Sequence, residues 1–384
     1  MKNSAKIIFA TLLISVFLSA SAFSMVKGDC VNCHTMHNSQ DGSSFSTRDD
    51  AAFAPGTTGG AVSSLLRNTC IGCHSSTGSQ TIVPLGETRI PIVYNVAKPI
   101  QPLAGGNFYW VDSLGDNHGH NVRVQDEFLS KAPGVNRCGS GGNNAAGSCH
   151  ASLSNISFPQ GASPTLGNGC VGCHDPAHHA NDETNLLSGD AKLVGAAGGG
   201  YRFINQAGAN FVNVGGHRPP AMVGIEDPNW EQQPSSTAHN EYQDSTNNSG
   251  QHGMSEFCTG CHGGYHALQA NGTVVEGEVS SPWLRHPAGI ELPADGEYAG
   301  YTEYDPQVPI ARADATALAS LTGPSSTVTP GQDKVMCLSC HRVHGSEFGD
   351  MLRWDYNDMR ANTEGSAAGS GCFKCHTLKD GVDI

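Results

Sequence analysis

Seven times along this chain a pair of cysteines ends in an immediately following histidine, and no other feature restricts its folding as much. Six pairs have two intervening residues: CVNCH (30–34), CIGCH (70–74), CVGCH (170–174), CTGCH (258–262), CLSCH (337–341) and CFKCH (372–376). The seventh is wide, CGSGGNNAAGSCH, running from Cys138 to His150. In a helical turn, residues i, i+3 and i+4 lie on one face. Cys-x-x-Cys-His therefore aims two thiols and an imidazole the same way. The thiols can form thioethers with the vinyl groups of a haem while the histidine binds its iron. Zinc ribbons and disulfides also use paired cysteines, but neither requires a histidine after every second one.

The expected attachment residues are Cys30, Cys33, Cys70, Cys73, Cys170, Cys173, Cys258, Cys261, Cys337, Cys340, Cys372 and Cys375. The proximal ligands are His34, His74, His174, His262, His341 and His376. At the wide motif two alternatives stand. Cys138 and Cys149 attach a further haem with His150 as its ligand, giving seven haems c, or they close a small disulfide loop and leave six.

Composition points the same way. Apolar residues make up 38% of the 384, with 48 glycines and 20 prolines, against about 45–50% apolar in ordinary globular chains. Side-chain burial alone cannot offset the conformational entropy of such a chain. Haems are large, flat and mostly apolar, and stacked haems can make the missing core. The expected fold is a multihaem cytochrome c: mostly coil, short helices around the haem motifs, a few short strands and a haem-packed core. Helical turns are expected over 63–75, 253–269 and 334–355, and strands over 88–96, 201–214 and 273–280.

Residues 1–24 read as an export signal cleaved after about residue 22–24, with Lys2 and Lys6 before a short apolar run and the small-residue pattern ASA at 20–22. Residues 25–384 then form a single haem-threaded domain. No later stretch is apolar enough to span a membrane. The formal charge is −14, or −16 once Lys2 and Lys6 are gone. Lysines and arginines are scattered, which argues against nucleic acid as a partner.

Eighteen histidines less seven proximal ones leave eleven. Seven irons need seven distal ligands, so the supply exceeds the need, the pattern of bis-histidine electron-transfer haems. An enzyme haem that binds substrate would keep one position open, so an electron-transfer protein is favoured over an enzyme. His37, His178, His179, His266 and His344 each follow a haem motif closely. Three residues reach at most ~10 Å when extended, too little for His37 to pass round the rim of its own haem. It must serve a different haem or none. The remaining distal candidates are His120 or its neighbour His118, His217, His239 and His286, with His252 set aside.

The motifs and their flanks resemble the hexahaem filament-forming cytochromes of metal-reducing bacteria, the cytochrome-nanowire family. The resemblance rests on CVNCHTMHNS, GGNFYWV (105–111), GHNV (119–122), CVGCHDP (170–176), GMSEFCTGCH (253–262), LRHPAG (284–289), CLSCHRVH (337–344) and CFKCH. It implies closely packed bis-histidine haems in one continuous chain, and a homopolymer at the outer cell surface. It also implies that His37 of one subunit completes the iron held by Cys337, Cys340 and His341 of the next. Two features depart from the family pattern. The site at Cys138, Cys149 and His150 has no counterpart, and His217 or His239 would have to supply its distal ligand. CHDPAHH also offers either His178 or His179 where the family has one histidine.

The resulting expectation is long-range extracellular electron transfer to metal oxides or other acceptors, with itself and redox proteins as partners. A monomeric periplasmic shuttle and a multihaem oxyanion reductase are the alternatives.

Overall fold

The structure, a computed structural model, describes residues 29–30, 33–34, 39–40, 43–44, 70–122, 170, 173–174, 178, 193–194, 201–204, 222–244, 253–255, 257–258, 266–268, 274–276, 286–361 and 369–378. Residues 1–24, His37, Cys138, Cys149, His150, His179, His217, His252, Cys261 and His262 lie outside them.

Among the described residues, regular structure is short and dispersed. Helices are single turns, such as Ile71–His74, Tyr109–Leu114 and Ala315–Ala319, and strands run two to four residues. The largest assembly is a six-stranded mixed sheet. From one edge its strands are Ile290–Glu291, Lys334–Val335, Ala311–Arg312, Glu241–Gln243, Gly224–Ile225 and Leu193–Val194. Neighbours are antiparallel except Ala311–Arg312 with Glu241–Gln243, which pair in parallel with Ala311 opposite Tyr242. No helix among the described residues is long and apolar enough to cross a membrane.

Apolar packing is divided among small clusters. The largest joins Leu292, Tyr301, Tyr304, Val308, Ile310, Val328, Val335 and Trp354, with Cys340, Cys372 and Cys375 against it. A second gathers Ile71, Tyr94, Phe108, Val111 and Val122 beside the Cys70 motif. The segment 103–122 docks on 343–346: Asn107 donates to the Gly345 carbonyl (3.0 Å), His344 to Gly105 (2.7 Å) and Ser346 to His118 (2.9 Å). Gly106 makes this approach possible, because it has φ +88° and a Cβ there would run into the Gly345 carbonyl.

Three expectations change. The segment 334–355 contains no long helix: Lys334–Val335 is a strand, succeeded by separate 3-10 turns at Cys337–Ser339 and Gly349–Met351. Sheet pairing with Ile290–Glu291 claims the start, and Gly345 at φ +126° breaks any helix between the two turns. Among the described residues of 253–269, 254–255 and 257–258 are helical, while His266–Leu268 is a strand paired with Val274–Glu276. Two glycines, 263 and 264, stand between them, and glycine in a helix interior costs about 1 kcal/mol relative to alanine. Tyr201–Phe203 is a 3-10 turn where a strand was expected. The Glu226 carboxylate accepts the Arg202 backbone N–H (2.6 Å) and pairs with its guanidinium (3.3 Å), holding Arg202 at φ 49°. Expected strands at 88–96 and 273–280 are present in shortened form, as Thr88–Pro91 with Tyr94–Asn95, and as Val274–Glu276.

Candidate functional site

Five of the Cys-x-x-Cys-His motifs fold into the same turn. The second cysteine's N–H donates to the first cysteine's carbonyl, and the histidine's N–H reaches that same oxygen. The histidine bonds are 2.8 Å at His34, 3.0 Å at His74, 2.9 Å at His174, 3.2 Å at His341 and 3.0 Å at His376. Both thiols and the imidazole thus leave one face of one turn. The eleven described cysteines are free thiols. Burial pushes Cys173 up to about 11, and burial with neighbouring thiols pushes Cys340 and Cys375 to about 12. They sit in apolar surroundings that suit a macrocycle.

Cysteines of successive motifs adjoin one another. The Cys70 thiol bonds to Cys170 and the Cys258 thiol to Cys337, while Cys173 is within electrostatic reach of Cys258. Cys340 lies against Cys372 and Cys375 in the largest apolar cluster. From Cys70 onward, the described motifs succeed one another in space in the order in which they occur in the chain.

The proximal imidazoles are oriented through Nδ1. His74 faces the Pro91 carbonyl (2.8 Å), His174 that of Arg202 (3.0 Å) and His341 that of Asp350 (2.8 Å). A carbonyl only accepts, so Nδ1 carries the proton and Nε2 the lone pair that a metal takes. Burial holds both His74 and His174 below the ordinary imidazole range, which keeps them neutral. His376 differs, since its Nδ1 is 3.1 Å from the Glu297 carboxylate.

Several distal candidates face proximal histidines of other motifs. Ring centroids are 6.2 Å apart for His74 and His178, 6.0 Å for His174 and His344, and 6.2 Å for His376 and His286. Two imidazoles sharing one metal through bonds of about 2 Å have centroids about 6 Å apart. His344 Nδ1 is shut off from solvent without a hydrogen-bond partner. Burial, with His174, His120 and His74 nearby, pushes its pKa down to about 3. His120 and His118 have Nδ1 on the Val343 (2.8 Å) and Ser346 (3.1 Å) carbonyls. Free, mostly half-buried thiols, neutral imidazoles and ring pairs at this spacing fit haem c.

His239 is set apart from the other candidates. It is fully buried, stacks on Tyr304 with centroids 3.6 Å apart, and has Nδ1 on the Ser235 carbonyl (3.0 Å) and Nε2 on Glu241 (3.3 Å). Neither nitrogen is left for iron. Of His266 only the backbone is described. The orienting carbonyls of Pro91, Arg202, Asp350 and Val343 escape sequence reasoning because every residue has one. Glu297 escapes it because it lies far from His376 in the chain.

Comparison with known proteins agrees with this geometry. The family described as "Doubled CXXCH motif" matches residues 329–381. The C-type cytochrome OmcS of Geobacter sulfurreducens is 28% identical over 408 residues, spanning 92% of this chain and 85% of OmcS. The solved "Outer Membrane Cytochrome S Filament" of the same organism shares the fold with a TM-score of 0.52 at 21% identity, over 93% of this chain and 91% of that one. Five attachment turns and similarity along 92% of its length make the chain similar to the C-type cytochrome OmcS, and its last two motifs match the doubled CXXCH family.

Proposed function

We propose that this protein carries electrons over long distances through a row of bis-histidine haems c, as a polymer outside the cell in respiratory electron transfer. The observation that carries the reading is the set of three imidazole pairs about 6 Å apart, two of which join different motifs. When bound, haem supplies a one-electron iron couple. The chain's own part is to hold, orient and space the sites. In this reading His178 completes the site of Cys70, Cys73 and His74. His344 completes that of Cys170, Cys173 and His174, and His286 that of Cys372, Cys375 and His376. A segment that attaches at one site and ligates another keeps the two in contact, as His178 does for the Cys170 and Cys70 motifs and His344 for the Cys337 and Cys170 motifs.

The polymer is supported by the filament form of the solved relative. In this reading His37 of a second copy completes the site of Cys337, Cys340 and His341. His239 is a structural residue in this reading. Cys138, Cys149 and His150 hold a seventh haem, residues 1–24 direct export, and residues 25–384 form one body at the outer surface. The protein is not an enzyme, and its electrons pass to redox proteins or mineral acceptors.

Cryo-electron microscopy of the natively exported, haem-loaded protein tests this. The expected result is filaments with His37 density entering the iron beside His341 of the next subunit, and seven haems per subunit. Separate particles with an internally ligated or free His37 would overturn the polymer and leave a shuttle. A disulfide between Cys138 and Cys149 would set the count at six.

A further inference from the structure

Of the four proximal histidines His74, His174, His341 and His376, only the last has a carboxylate at its Nδ1. His74, His174 and His341 donate to backbone carbonyls, whereas His376 Nδ1 is buried, has no hydrogen-bond partner and stands 3.1 Å from Glu297 Oε1 at ion-pair distance. The arrangement is built. The Glu297 carbonyl accepts both the backbone N–H of Thr377 (3.3 Å) and its hydroxyl, tying the Gly296–Gly300 turn to the residue after the ligand. The Glu297 side chain is 14% exposed and that of His376 23%, so water screens the pair weakly. Tyr298 from the same turn packs edge-on against the ring, with centroids 5.2 Å apart.

A carbonyl offers a dipole, and a carboxylate offers a full charge. Set against Nδ1, that charge draws the imidazole toward imidazolate character and raises its basicity as a ligand. A more basic ligand and a nearby negative charge both favour the ferric over the ferrous iron. We propose that Glu297, acting through His376, is a positioning and tuning residue that makes the haem of the Cys372–His376 motif harder to reduce than those whose histidines rest on carbonyls. This rests on the electron-transfer reading above. Its consequence is a row of sites with unequal potentials, stepped at the end nearest the C-terminus.

The test is a potentiometric titration of the exported, haem-loaded protein, comparing wild type, Glu297→Gln and Glu297→Asp. Glutamine keeps the shape and removes the charge. In E297Q, one haem's share of the titration moves to higher potential by at least a tenfold change in its reduction equilibrium, about 59 mV for one electron. In E297D it stays near wild type, and all haems remain low-spin in both variants. A titration unchanged in E297Q, or one that moves equally in E297D, would overturn the inference. Mass spectrometry of the C-terminal proteolytic peptide separates the two failures. A peptide without haem refutes the attachment itself, whereas a haem-bearing peptide with an unmoved potential refutes only the role of Glu297.

Discussion

Asp244 gives the chain a stability that depends on pH in an unusual sense. Its side chain is fully buried at the end of the central strand, where it accepts the Ser255 backbone N–H (3.3 Å to each oxygen) and the Ser255 hydroxyl. Burial outweighs these bonds and raises its pKa to about 7, with the Cys337 thiol a smaller contributor. Thioether formation at Cys337 removes the smaller cause and leaves the larger. In the unfolded chain the group titrates near 3.9. Between those values the folded protein holds a proton that the unfolded one has lost, so stability falls as pH rises from about 4 to 7. At about 1.4 kcal/mol per unit, the contribution lost is on the order of 4 kcal/mol. Asp244→Asn cannot ionise and keeps an oxygen for Ser255. Guanidinium titrations of the haem-loaded protein at steps from pH 4.5 to 8, read at the Soret band, should show D244N gaining on wild type by a few kcal/mol across that range. A difference between the two proteins that does not change with pH would refute the assignment.

Four further substitutions address the site and the core. His178→Ala should turn one haem high-spin and able to bind carbon monoxide when reduced, while His239→Asn should leave every haem low-spin; electron paramagnetic resonance and carbon monoxide difference spectra distinguish them. Arg312→Met should destabilise the fold by roughly 3–5 kcal/mol, seen as a fall in the guanidinium midpoint, because it strips Glu241 and Asp333 of their buried partner (2.8 and 2.9 Å). Gly106→Ala should cost about 2 kcal/mol or more, from a left-handed backbone and a collision with the Gly345 carbonyl. A midpoint within error of wild type would show that this junction yields.

The turn of each motif was legible because the expected thioether and iron chemistry requires three side chains on one turn, and one turn is a contiguous pattern. Five motifs fold as that pattern demands. Distal pairing was not legible, because it depends on which remote turn arrives opposite. Nothing local in CHDP or LRHPAG says that His178 meets His74 or that His286 meets His376. What the sequence did allow was the negative argument that a histidine soon after a motif cannot serve its own haem, and His178 and His344 both face another motif's histidine. His239 misled for the opposite reason. TAHNEY looks like a polar loop, yet long-range contacts with Tyr304 make the imidazole part of the core.

The same logic explains why the interior of the sheet is charged. Strands of two or three residues present one side chain or two to each face, too few to form an apolar layer. At the parallel junction Arg312 instead donates to Glu241 (2.8 and 3.0 Å), to Asp333 (2.9 Å) and to the carbonyls of Ser325 and Thr327. Glu241 also receives the Ser325 N–H (2.6 Å) and faces His239. Burial opposes its charge, but bonds from His239 and Arg312 hold its pKa below the usual carboxylate range. One guanidinium thereby fixes two strands and two loops in a single register, because any slip would leave buried charges unpaired. In a chain whose apolar packing is divided among small clusters, directional bonds of this kind set where each turn lies.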